Sequence, residues 1–335
     1  MKTMRNTLIL AALLLLTTTP IFAQPGGTAG AFTRMGFGAR GQGMGNALTA
    51  IPEGTISPYY NPALSPFQTG HVLHGSYSFL SLDRVLNQIS YTQRLSIKRP
   101  NANKFKEDPD VQSYAGISAG WINAGDGNIQ GYDSDGFKTE ELSVFENQFY
   151  FNIANRFSEK LSIGLTFKFY HSGLYEDVTT SGFGADIGLL WSFSEQVHLG
   201  IVVQELVTEY EWDTSELYGP EFGNTTSDPF ARIVRLGGSY ILPDSRGLIA
   251  ADFEMYDGDT FLARVGAEYK IVEQFALRAG VERLDLSDNN IDARPSFGLS
   301  VTQPWAQFVP TIHYAFIIEP VAPSSTHVLS FALSF

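Results

Sequence analysis

The chain has 335 residues, a formal charge of -13 and no cysteine. Without cysteine there are no disulfides, no thiolate metal sites and no lipid-modified N-terminal Cys. An acidic chain with no basic block is a poor partner for nucleic acid.

Residues 1–23 read as a secretory signal peptide. Lys2 and Arg5 precede an apolar run from Leu8 to Leu16, then threonines, Pro20 and Ile21-Phe22-Ala23. The run is too short to span a membrane, which takes roughly 20 apolar residues as a helix. Cleavage is expected after Ala23, and with it export from the cytoplasm. No later run approaches spanning-helix length, so membrane crossing by helices is excluded.

Residues 24–69 are rich in Gly, Pro and small residues and carry no strand pattern. A short helix is expected across Ala39–Ala50. Met35, Phe37, Met44, Leu48 and Ile51 make free solvation of this segment unfavourable.

From residue 70 onward the sequence alternates. In "FENQFYFNIANRF" (145–157), Phe149, Phe151, Ile153 and Phe157 share one face and Gln148, Tyr150 and Asn152 the other. "LSIGLTFKFYH" places Leu161, Ile163, Leu165, Phe167 and Phe169 opposite Ser162, Gly164, Thr166 and Lys168. Only Ser158, Glu159 and Lys160 separate the two, which predicts a hairpin. Fourteen such segments lie near 70–80, 85–96, 110–122, 145–157, 160–172, 182–193, 197–206, 230–241, 247–257, 260–270, 274–284, 292–302, 307–318 and 324–335.

Most segments run to roughly 9–12 residues, the length of a tilted membrane-spanning strand. Strands of a soluble sandwich are shorter, about 5–6 residues, and their water face would carry more Lys and Glu than these Gly, Ser and Thr positions do. The pattern therefore predicts an all-β fold over 70–335: a 14-stranded antiparallel transmembrane barrel in the outer membrane of a Gram-negative bacterium. Closure removes both sheet edges, which lipid cannot hydrogen-bond. Such a barrel encloses more volume than its side chains fill, so residues 24–69 are expected to fold into the lumen as a plug.

With both termini on the periplasmic side, the turns at 158–160, 194–196, 271–273 and 303–306 are short and periplasmic. The connections at 123–144, 173–181 and 207–229 are long and external. The longer link "IKRPNANKFKEDP" (97–109) is an exception on the periplasmic side. The chain ends "THVLSFALSF", with Leu329, Phe331, Leu333 and Phe335 on the lipid face of a closing strand.

The plug segment also carries a resemblance. "GARGQGMGNALTA…YYNPAL" resembles the PorV/PorQ family, related to FadL-type long-chain fatty-acid transporters, which also have an Asn-Pro-Ala motif in an N-terminal hatch. Here the motif is Asn61, Pro62 and Ala63, after Tyr59 and Tyr60. The resemblance implies a monomeric fourteen-stranded barrel with a plug, in contact with outer-membrane lipid. It leaves two functions open. One is binding or passing hydrophobic small molecules with the plug as gate. The other is binding secretion-system proteins in type IX secretion. It implies no cofactor.

Asp252, Glu254, Arg264, Glu268, Arg278 and Glu282 fall on the non-lipid face of three consecutive strands. They would form an ion-pair ladder, serving either as a polar gate or as an anchor for the plug. "GDGNIQGYDSDG" sets Asp126, Asn128, Asp133 and Asp135 in a Gly-rich stretch that would suit calcium. The position for a closing Glu holds Phe137, so polar turn chemistry is the plainer reading. His71, His74, His171, His198, His313 and His327 sit in no nucleophile motif, and catalysis is not expected.

Overall fold

The structure is a computed structural model that describes residues 29–335 apart from 56–57, 107, 176–177, 259 and 288–290. The signal peptide expected over residues 1–23 lies outside the described residues. The strands are β1 (His71–Phe79), β2 (Val85–Lys98), β3 (Val111–Tyr132), β4 (Lys138–Arg156), β5 (Leu161–Tyr175), β6 (Val178–Ser192), β7 (Val197–Gln204), β8 (Glu209–Asp213), β9 (Thr225–Pro229), β10 (Ile233–Ile241), β11 (Gly247–Tyr256), β12 (Thr260–Val272), β13 (Phe275–Asp285), β14 (Arg294–Thr302), β15 (Val309–Ile317) and β16 (Thr326–Ser334). All but β8 and β9 form one closed antiparallel barrel of fourteen strands, with β16 paired to β1.

The strands alternate because their residues do, but burial runs opposite to that of a soluble sandwich. The apolar rows are outside: Phe151, Phe167, Ile201, Leu236, Phe253, Leu277, Phe297 and Phe331 are exposed. The small and polar rows are inside: Ser90, Ser118, Asn152, Thr166, Ser239 and Ser330 are buried. So wide an apolar exterior suits hydrocarbon, not water. The register holds in β5, where Phe167 is 53% exposed and Thr166 3%.

Three connections differ from expectation. Most of 123–144 is strand, because β3 and β4 continue past the others and pair to Tyr132 and Lys138. Most of 173–181 likewise continues β5 and β6. The stretch 207–229 contains the separate ribbon β8–β9. Its Tyr210 is buried against Tyr170 and Phe230. The β4 extension from Lys138 to Glu141 is exposed on both faces, so its sequence loses the two-faced pattern while its backbone keeps pairing.

The connection 99–110 folds back on its own end of the barrel. Phe105 is buried edge-on to Tyr114 at 4.7 Å, and Arg156 lies over the rings of Phe105 and Phe67.

The described residues of 29–69 form an inner segment that packs against the buried rows of the barrel strands. They begin at the loop end, where Ala29 bridges to Phe230, and leave at the turn end, where β1 starts. The expected helix is a single turn, α1 (Ala39–Gly43). It cannot run on to Ala50 because Gly45 and Asn46 hold φ of 59° and 58°, a left-handed geometry that ends a right-handed helix.

Candidate functional site

The inner segment is held by its own residues first. Asn61 is extended, at φ -152°, and its Oδ1 accepts from the Ala63 N–H at 2.9 Å, capping a 3-10 turn over Pro62–Phe67. Pro62 at the first helical position needs no donor. Asn61 Nδ2 donates to Thr49 O at 2.8 Å and to Leu189 O on β6 at 3.2 Å, so one side chain joins two parts of the segment to the wall. Tyr60 OH lies 2.7 Å from Asn46 Oδ1 and 2.9 Å from Phe37 O and donates its one proton between them, and Tyr59 OH donates to Thr33 O. Burial pushes both phenols up, so they remain neutral donors.

The wall makes room for this backbone with glycine. A Cβ on Gly164 or Gly188 would collide with Pro62 or Asn61, and one on Gly266 or Gly280 with Met44 or Gly45. Polar wall side chains then meet the segment directly. Asn152 Nδ2 donates to Pro62 O at 3.2 Å, and Ser162 Oγ to Ala63 O at 2.8 Å. Ser239 Oγ donates to Ala50 O at 2.7 Å, while the Ala39 N–H donates to Ser330 Oγ at 2.7 Å.

All six predicted lumen charges are buried. They do not pair as a simple ladder. Arg264 stands opposite Asp252 in register, yet Glu254 takes both Arg264 and Arg235. Asp252 instead accepts from the Thr49 N–H at 3.1 Å and Thr49 Oγ1 at 2.6 Å. Glu268 accepts from Arg278 at 2.5 Å and from Arg40 of α1 at 2.8 Å. Glu282 pairs with Arg294 and accepts from Asn46 Nδ2. The reason is the inner segment: Arg40, Asn46 and Thr49 supply partners from across the lumen. Three of the four carboxylates therefore join the segment to the wall.

Sequence reasoning missed Arg40, Asn46, Thr49, Arg235 and Arg294 as partners. It also missed the buried group in which Lys168 Nζ lies 2.8 Å from Asp186 and 2.5 Å from Glu205. Lys168 on the non-apolar face of β5 was the available signal. Tyr59 lies over this ammonium at 5.5 Å. Of the calcium candidates, Asp133 accepts from the N–H groups of Asp135 and Phe137, which is turn chemistry. Asp126 lies in β3, and the Asn128 side chain is outside the described set. Among the described residues, no three His, Asp or Glu side chains group as a metal site.

Two cavities lie at opposite ends of the barrel. At the loop end a cavity of about 990 Å³ is lined by Phe32, Met35, Leu80, Val85, Leu262 and Ile291 with several charged groups. At the turn end a second, of about 1110 Å³, is lined by Arg40, Glu53, Phe67, Lys160, Gln196 and Lys270 among others. No residue lines both.

No family model and no curated protein matches the sequence. Solved structures do match the fold. The monoaromatic hydrocarbon channel CymD superposes with a TM-score of 0.60 at 16% identity, over 90% of this chain and 98% of that one. The Pseudomonas putida toluene transporter TodX gives 0.59 at 13% identity, over 90% and 99%. A Pseudomonas aeruginosa FadL homologue gives 0.51 at 11%, over 88% and 96%. This is the FadL-type barrel fold.

Proposed function

We propose that the chain is an outer-membrane barrel that binds or passes hydrophobic small molecules, with residues 29–69 as its gate. The observation that carries this is a pair of cavities that share no lining residue, one at each end of the barrel, with the inner segment bonded to the wall. The apolar exterior supports placement in the outer membrane. The short-turn end, where Phe335 lies, then faces the periplasm. The named channels and transporters of the same fold pass aromatic hydrocarbons, which supports extending that class of cargo to this chain. A barrel closed within one chain needs no partner strand, which supports reading it as a monomer in contact with lipid.

The finer reading, PorV/PorQ type, rests on the Gly-Ala-Arg…Asn-Pro-Ala run in the inner segment. It carries a second function, protein binding in type IX secretion. Uptake of phenylnaphthylamine, whose fluorescence rises in apolar surroundings, separates the two. Cells expressing the chain should take up the dye faster than cells carrying an empty vector. Equal uptake, with a protein co-purifying from the native host, would overturn passage in favour of secretion.

A further inference from the structure

The turn-end cavity carries more Arg and Lys than Glu along its walls, in a chain whose formal charge is -13. Part of this excess sits where the inner segment is anchored. Arg40 and Arg278 both pair with Glu268, and among the described residues neither has a second carboxylate. Two guanidiniums therefore share one carboxylate.

Arg278 is 6% exposed. Its Nε donates to Glu268 and its Nη2 to Ser300 Oγ at 3.0 Å, while Nη1 has no acceptor among the described residues. The Ser300 oxygen accepts that bond, which leaves its own proton to donate. Ser300 stands opposite His313 across β14 and β15. His313 is 3% exposed, and its Nδ1 is likewise without a partner among the described residues. Its Nε2 lies 3.4 Å from Thr55 Oγ1. With the Thr55 hydroxyl donating there, the ring proton sits on Nδ1. The titratable groups that face His313 are Arg278, His74, Arg40 and Glu268. Arg278, Ser300 and His313 all line the turn-end cavity. Buried donors without acceptors are costly, and each calls for an explanation.

One ligand chemistry answers all three. Arg278 Nη1, the Ser300 hydroxyl and His313 Nδ1 come from three neighbouring strands, β13, β14 and β15. A tetrahedral oxyanion can offer an oxygen to each, and the guanidinium supplies the opposite charge. One row nearer the turns, Thr302 and Thr311 line the same cavity and bond to each other at 3.0 Å. These polar walls suit a hydrophilic anion better than a hydrocarbon tail. We propose that the turn-end cavity binds inorganic phosphate, or the phosphate group of a small hydrophilic molecule, seated on Arg278, Ser300 and His313. This site is separate from the passage of hydrophobic molecules. Its anion balances the second guanidinium beside Glu268, so occupancy steadies the Arg40 anchor of the inner segment.

The test uses the full chain in maltoside micelles, which contain no phosphate, and radiolabelled orthophosphate in equilibrium dialysis. The wild-type chain should bind the label saturably. His313→Gln keeps a nitrogen near the Nε2 position but removes Nδ1, and should weaken binding by about tenfold. His313→Asn places a donor near the Nδ1 position and should bind nearly as the wild type does. Arg278→Gln should weaken binding at least as much as His313→Gln. No saturable binding by the wild type, or wild-type affinity in both His313→Gln and Arg278→Gln, would overturn the site while leaving passage of hydrophobic molecules intact. Competition separates the sources of phosphate. Glycerol 3-phosphate should displace the label, and displacement by short-chain phosphatidic acid alone would overturn the hydrophilic reading. Should Arg278→Gln not assemble, the His313 variants decide: equal affinity in His313→Gln and His313→Asn overturns the proposal.

Discussion

Asn61 uses both ends of its carboxamide, one to cap its own turn and one to join Thr49 and Leu189. Asn61→Ala would leave buried carbonyl oxygens without a donor, at a cost of about 1–3 kcal/mol. Arg40→Ala should do more, since it leaves Glu268 with Arg278 alone and breaks a buried pair worth roughly 3–5 kcal/mol when one partner is removed. Hydrogen exchange across residues 39–55 measures both. Faster exchange is expected in each variant, greater for Arg40→Ala, and wild-type protection in Arg40→Ala would contradict the anchoring role. At the wall, Phe167→Arg places a charge in hydrocarbon at about 2–4 kcal/mol and should sharply lower the membrane-inserted fraction. Thr166→Arg should insert but displace the Pro62 turn, because Thr166 packs with Asn152 beneath it; equal insertion of both variants would count against the register. That Asp252, Glu254, Arg264, Glu268, Arg278 and Glu282 are turned away from the apolar face was legible from alternation. Their partners were not, because Arg40 and Glu268 are 228 residues apart and no local pattern joins them.

The closing strand carries the same logic to the scale of an element. β16 pairs along its length with both β1 and β15. The last bonds are between His71 and Phe335: each N–H donates to the other's carbonyl, at 2.9 and 3.0 Å, and the rings stack at 5.2 Å. Deleting Leu333–Phe335 opens this seam at the turn end, leaving backbone groups unpaired at the edge of the lipid. Heat-modifiable barrel in the outer membrane should fall sharply, and normal amounts would contradict the requirement. All fourteen barrel strands could be read from the two-residue period, because one face of each must suit lipid and the other the lumen. The extension of β3 and β4 could not, since Lys138, Glu140, Glu141 and their neighbours meet water on both faces and no period survives. The ribbon β8–β9 was hidden similarly: its acidic Glu209, Glu211 and Asp213 read as loop although Tyr210 is buried.

The whole molecule is a lipid-facing shell around an inner segment that it grips at Glu268, Asp252, Glu282 and Asn152. The burial of Phe37, Met44, Leu48 and Ile51 in that segment was legible from their apolar character. Its path from the loop end to the turn end was not, because the path is set by wall glycines and distant carboxylates. Deleting Gly30–Pro66 should leave a barrel that inserts and conducts ions in planar bilayers, and a deletion variant as closed as the parent would show that the segment does not block the lumen. The most direct test of the gate leaves the segment in place and fixes it. Thr49 Oγ1 and Asp252 Oδ2 are 2.6 Å apart, and the chain has no cysteine of its own, so Thr49→Cys with Asp252→Cys introduces one selective cross-link between segment and wall. Phenylnaphthylamine uptake is then compared in the same cells before and after reduction, with the disulfide verified by mass spectrometry. The gate account predicts uptake at the empty-vector level when oxidised and recovery when reduced; equal uptake in the two states would contradict it.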